Sequence, residues 1–242
     1  MDTPEDTGTT PVEAGTEQPQ PTLEPSPFPK RIVEVFFSPG RLVEALARHP
    51  WWAAALVLGA VIAVVQVLVI PAHVWDAMIR EQMVARGQDA SAFPGGSSVV
   101  RIFALVGGTV GYLVMALLTA GIVTLVFAFV LGDEGRFKQY LAILTHALLI
   151  PGIVGLALVP LKIAQADPRL TLNVGTFLFF LPKGYLLKWA TMMDLSMLWA
   201  WLVMAQGARA VDPKRSFGSA AGVTIGIYVV MSALLALLPG TG

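Results

Sequence analysis

Residues 99–131, VVRIFALVGGTVGYLVMALLTAGIVTLVFAFVL, decide the fold. Arg101 stands near the head of the stretch, and residues 102–131 carry no charge at all. A helix that is hydrophobic all round has no polar face to give to water. About 20 mostly apolar residues suffice to carry a helix across a hydrocarbon core of roughly 30 Å. This stretch is long enough to cross with a steep tilt or to project past the lipid.

Working outward, four more runs have the same character, at about 51–70, 140–161, 187–208 and 219–238. Pro151 and Pro160 are expected to kink or end the third of the five spans. The polar loop 71–98 holds a predicted helix near 73–86, with Gly87 and Phe93-Pro94-Gly95-Gly96 as breakers. The segment 162–186 contains an apolar run, Phe177–Leu181, that is too short to span and is expected to be re-entrant or packed on the surface. Of the 242 residues, 55% are hydrophobic and only 13% charged, at a mean hydropathy of +0.70. That is too little charge to cover a soluble domain. The expected fold class is therefore all-α, a polytopic transmembrane bundle of about five helices.

The N-terminal part is of another kind. Residues 1–29 contain seven prolines and six acidic residues, with no basic residue before Lys30. Such a segment cannot bury enough apolar surface to offset its ordering entropy, so a disordered cytoplasmic tail is expected, with 30–242 as the transmembrane domain. It lacks the basic and apolar regions of a signal peptide, so insertion is expected to rely on the first span. Residues 30–50 read as two short amphipathic pieces. Ile32, Val33, Phe36 and Phe37 fall at helical spacing, and Ser38-Pro39 restarts the chain as N-cap and first turn. Leu42, Val43 and Leu46 then share one face of an interfacial helix that leads to the Pro50-Trp51-Trp52 belt.

Basic residues set the expected orientation. Lys30, Arg31, Arg41, Arg48, Arg136, Lys138, Arg209, Lys214 and Arg215 collect on one side, in three short segments. Seven others are spread over two longer loops on the opposite side. The N-terminus is thus expected in the cytoplasm and the C-terminus across the cytoplasmic (inner) membrane.

Few residues carry chemistry. Asp194 is the one carboxylate read well inside a span, where a bare charge is costly. With His146, Gln66 or Gln206 as partners, two readings stay open: a proton or ion pathway, or a polar clasp that fixes helix register. Gly218, Gly222 and Gly226 repeat every fourth position, and Gly107 and Gly111 do the same in the second span. Such ridges pack helices closely in lipid, within one chain or across a homodimer. There are no cysteines, and His49, His73 and His146 are scattered over separate segments, so no metal or cofactor is expected. No hydrolytic or phosphate-binding motif is present.

The landmarks occur in an order that resembles the Yip-domain family of five-span membrane proteins. They are Phe36-Phe37-Ser38-Pro39 and Pro50-Trp51 before the first span; Gly132, Gly135 and Phe137-Lys138-Gln139-Tyr140 after the second; and Ile150-Pro151 in the third. Asp194-Leu195, Trp199 and Gly207, then Ala220, complete the series over about residues 30–238. The resemblance implies a cytoplasmic N-terminus. Eukaryotic relatives are associated with vesicle transport and Rab-type GTPases, but the Asp-Leu-Tyr-Gly-Pro stretch before the first span is missing here. The chain looks more like the prokaryotic branch, and no catalytic residue is transferable. The expected role is a non-catalytic scaffold or organiser of the membrane. Its partners would be the lipid bilayer and unidentified proteins, a second copy among the candidates, with no nucleic acid. The alternatives are a small transporter or channel component using Asp194, or an intramembrane enzyme.

Overall fold

The computed structural model describes residues 26–93 and 98–237, so the tail up to Pro25 and the Gly95-Gly96 breaker lie outside the described residues. Among the described residues every regular element is helical, apart from one isolated bridge between Asn173 and Asp194.

Helices α1 (Phe28–Phe37) and α2 (Pro39–Arg48) meet at Ser38. The break has the expected Pro39 in the first turn of α2, but the Ser38 hydroxyl makes no capping bond. The apolar face of α2, with Leu42, Val43 and Leu46 buried, packs on protein and not on lipid. Helix α1 also buries one face, while Val33 and Phe37 stay exposed. Ile32 and Phe28 pack against the cluster formed by Ala55, Ile62 and Leu149, and Arg31 and Glu34 of the same helix are buried. Arg31 is accommodated there by its Nε bond to the Ser26 carbonyl at 2.8 Å and by the rings of Phe28 and Trp51, 5.4 and 5.0 Å from its guanidinium carbon.

Helix α3 (Ala53–Val69) ends before Pro71, which has no N–H to continue it, and the chain turns by 89° into α4 (Ala72–Ala85). Helix α5 (Ser98–Thr124) continues as a wide π-helical turn, Leu125–Val130. The third span is a broken rod of α6 (Phe137–Ala147), α7 (Leu149–Ala157) and α8 (Val159–Ala164). Its two breaks, at Leu148 and Leu158, fall two or three residues before Pro151 and Pro160, where each proline withholds an N–H from the preceding turn. Helices α9 (Tyr185–Met192), α10 (Leu195–Val211) and α11 (Phe217–Ala236) complete the fold.

Among the described residues, three helical stretches are long and apolar enough to cross a bilayer: Arg101–Val130, Phe137–Ala157 and Phe217–Ala236. The bent pair α3–α4 makes a fourth if it counts as one span. The run 187–208 is not one helix. It breaks at Met193, and α10 keeps 17 residues, about 25 Å at 1.5 Å per residue. The count of about five therefore depends on this shorter rod. In the run at 177–181, Phe177, Phe179 and Phe180 stand largely exposed, next to the clip that bonds Val174 N to the Met193 carbonyl at 3.0 Å.

The core sits between α6 and α10, where Tyr140, Ile143, Ala147, Met204, Ala205 and Ala208 are fully or almost fully buried. Gly207 permits this contact, because a Cβ there would overlap the Ile143 side chain. The glycine ridges do something else. A Cβ on Gly107, Gly111, Gly218, Gly222 or Gly226 meets no heavy atom within 4 Å among the described residues, so none of the five is a point of close helix contact with them. Periodicity showed that they share a face; Gly111 borders an internal cavity, whereas Gly107, Gly218, Gly222 and Gly226 are exposed.

Candidate functional site

Two places gather polar chemistry. The first is the end of the bundle that carries α2. Gly132, at φ +75°, adopts a left-handed turn natural to glycine, and the Asp133 N–H returns to the Phe127 carbonyl at 2.9 Å. Asp133 is thereby turned inward and paired with Arg215: Nε donates to Oδ2 at 2.9 Å and Nη2 donates to Oδ1. These bonds raise the Arg215 guanidinium above its ordinary pKa. Its charge lies 5.4 Å from the centre of the Phe127 ring, which in turn stacks on Tyr140 at 5.8 Å. Gln139 Nε2 donates to the Ala47 carbonyl at the end of α2 at 2.6 Å, while its Oε1 accepts from Arg136 N at 2.8 Å. Two turns and the N-terminal helices thus form one connected surface, on which Arg41, Arg48, Arg136 and Lys138 are exposed.

The second place is a cavity of about 480 Å³ lined by residues of α3, α5, α6, α7, α9, α10 and α11. Its lining is mostly apolar and includes Leu144, Met197 and Trp201. Gln66, Tyr112, Thr119, Asp194, Tyr228 and Ser232 are its polar lining residues. Asp194 is not inside a helix. It is the N-cap of α10, and its Oδ1 accepts from Ser196 N at 2.7 Å, from Met197 N at 3.1 Å and from the Ser196 hydroxyl. Tyr228 fixes the same break by donating to the Asp194 carbonyl at 3.1 Å. The carboxylate therefore satisfies orphan helix donors, as a cap does anywhere.

His146 does not meet Asp194. It is buried in α6, where Nδ1 lies 2.8 Å from the Ala142 carbonyl and so carries the proton, and its ring meets Phe28 edge-on at 6.2 Å. Gln66 accepts from Lys162 Nζ at 3.3 Å, and Gln206 lies beside Gly40. Lys162, almost wholly buried, was not anticipated from the sequence, where it reads as a loop charge. Nor was the Asp133–Arg215 pair, whose partners stand 82 positions apart. Among the described residues no three His, Asp or Glu side chains are grouped as a metal site would need.

Helices of this length and apolarity, connected in this way, define an integral, multi-pass membrane protein. The Yip1 domain model matches residues 33–238, and the chain belongs to that family. The family is generally one of non-catalytic membrane trafficking proteins. No curated protein and no solved structure matches the chain significantly.

Proposed function

We propose that this protein is a non-catalytic scaffold of the prokaryotic branch, seated in the cytoplasmic membrane with its N-terminus and its α2 end toward the cytoplasm. There it presents a preformed basic surface to protein partners. The observation that supports this reading most is the linkage of the α2 end. Asp133–Arg215 and Gln139–Ala47 tie segments from three parts of the chain into one fixed face. A pre-organised surface loses little entropy when a partner docks. Affinity capture in mild detergent is expected to return a reproducible partner with the native chain. That partner should be lost from a variant carrying Arg41→Glu, Arg48→Glu and Lys138→Glu. A partner retained by the charge-reversed variant would defeat the reading, as would a cytoplasm-specific reporter that is silent after Pro213.

One observation favours a second reading, in which Asp194 serves a small transporter: its side chain lines the cavity. Ion flux in proteoliposomes that disappears with Asp194→Asn would establish that reading over the first.

A further inference from the structure

The cavity has a direction. Leu144, Met197 and Trp201 line it, and Tyr112 and Thr119 lie on the α5 wall. Its one carboxylate among the described residues, Asp194, stands at the start of α10, the end of that helix opposite to Gln206 beside Gly40 of α2. Gly108 and Gly111 of α5 lie on its wall, and a Cβ on either meets nothing within 4 Å, so these glycines hold the space open. Helices α5 and α11 both line it without forming one of the principal helix contacts, which leaves a side entrance between them. Both are peripheral, with 28% of each apolar stretch buried against 56% for α6–α7. A cavity with this lining and this entrance receives its occupant from the bilayer.

The polar end specifies the occupant's head. Asp194 is the one charged side chain among the described lining residues. Its Oδ1 is taken up by α10, and its Oδ2 accepts no hydrogen bond from the described residues. A carboxylate oxygen at an apolar wall suits a cation that can also donate. On the same end, Gln66 is backed by the buried ammonium of Lys162, whose bond to Gln66 Oε1 is 3.3 Å long. That places positive charge beside the negative one. We infer that the cavity binds one aminophospholipid from the side, its acyl chain along Trp201 and Met197, its ammonium on Asp194 and its phosphate toward Gln66 and Lys162. This site is separate from the scaffold surface and does not depend on it.

Native mass spectrometry of the full chain in maltoside detergent tests the inference, with phosphatidylethanolamine, phosphatidylcholine and phosphatidylglycerol offered in turn. One phosphatidylethanolamine should be retained in preference to the other two, since choline cannot donate a hydrogen bond and glycerol brings no cation. Asp194→Asn keeps the cap of α10 and should lower that preference roughly tenfold, the scale of one lost charge-assisted bond. Gly111→Phe fills the space and should abolish retention of all three lipids without lowering the melting temperature. Equal retention of the three lipids by the native chain would overturn the inference. So would native-like retention of phosphatidylethanolamine by either variant. Competition by chain-free phosphoethanolamine would mark a solute site and overturn it as well.

Discussion

Replacing Arg215 with Met leaves the Asp133 carboxylate, 2% exposed, without its counter-ion. Met keeps much of the stem that covers Phe127 and removes the charge. Breaking a buried pair from one side typically costs about 3–5 kcal/mol, because the remaining charge is uncompensated. Arg215 lies nearer to water, at 14% exposure, so about 3 kcal/mol is the appropriate end of that range. The reverse change is cheaper. Asp133→Asn leaves a guanidinium that can swing out on its long stem, and costs about 1–2 kcal/mol for the lost charge-assisted bonds. The double variant should lose less than the sum of the two, since no buried charge is left bare. Reversible unfolding in mixed micelles, followed by tryptophan fluorescence, measures all three. The reasoning fails if Arg215→Met costs less than Asp133→Asn, or if the two losses simply add.

Three further expectations use the same assay. Asp194→Asn should be nearly neutral for stability because Asn caps as well as Asp, while Asp194→Ala should cost about 1 kcal/mol; equal losses would show that the cap is not its structural role. Gly207→Ala should destabilise by about 1–3 kcal/mol through overlap with Ile143, whereas Gly222→Ala should be neutral or gain up to about 1 kcal/mol from helix propensity. A loss at Gly222 that grows with protein concentration would instead reveal a contact between two chains. Lys162→Met should leave stability unchanged or raise it, since one neutral acceptor at 3.3 Å is poor compensation for a buried ammonium; a marked loss would show a stronger partner.

The spans were legible because hydropathy is a sum over many residues, and the exact contacts of any one of them hardly matter. Helix α4 was legible too: it runs over 72–85, where the sequence predicts 73–86. The break at Met193-Asp194 was hidden by the same averaging, since Met-Met-Asp-Leu barely lowers the mean of an apolar run. Asp standing before an apolar stretch is an N-cap signal in its own right, and it marks the start of α10. The glycine ridges show a different limit. Periodicity places Gly218, Gly222 and Gly226 on one face of α11 but cannot say which way that face turns. The ion pair Asp133–Arg215 joins two turns that no local pattern connects. Only Gly132, whose left-handed backbone points Asp133 inward, left a trace in the sequence.

The socket for α1 has a consequence for biosynthesis. Phe28 and the His146 it rests on are 118 positions apart, so at roughly 5–20 residues per second the ribosome delivers α1 about 6–24 seconds before its seat exists. During that interval Arg31 and Glu34 must stay hydrated, and the first hairpin enters the bilayer without the helix that later wedges beside it. Docking of α1 is therefore a late event that can follow only when the third span is in place. Because the chain has no cysteine, a single Ile32→Cys marker reports it. The thiol should react with a water-soluble maleimide in nascent chains stalled before residue 147 and become protected in the released protein. Early protection would mean that α1 finds another seat first.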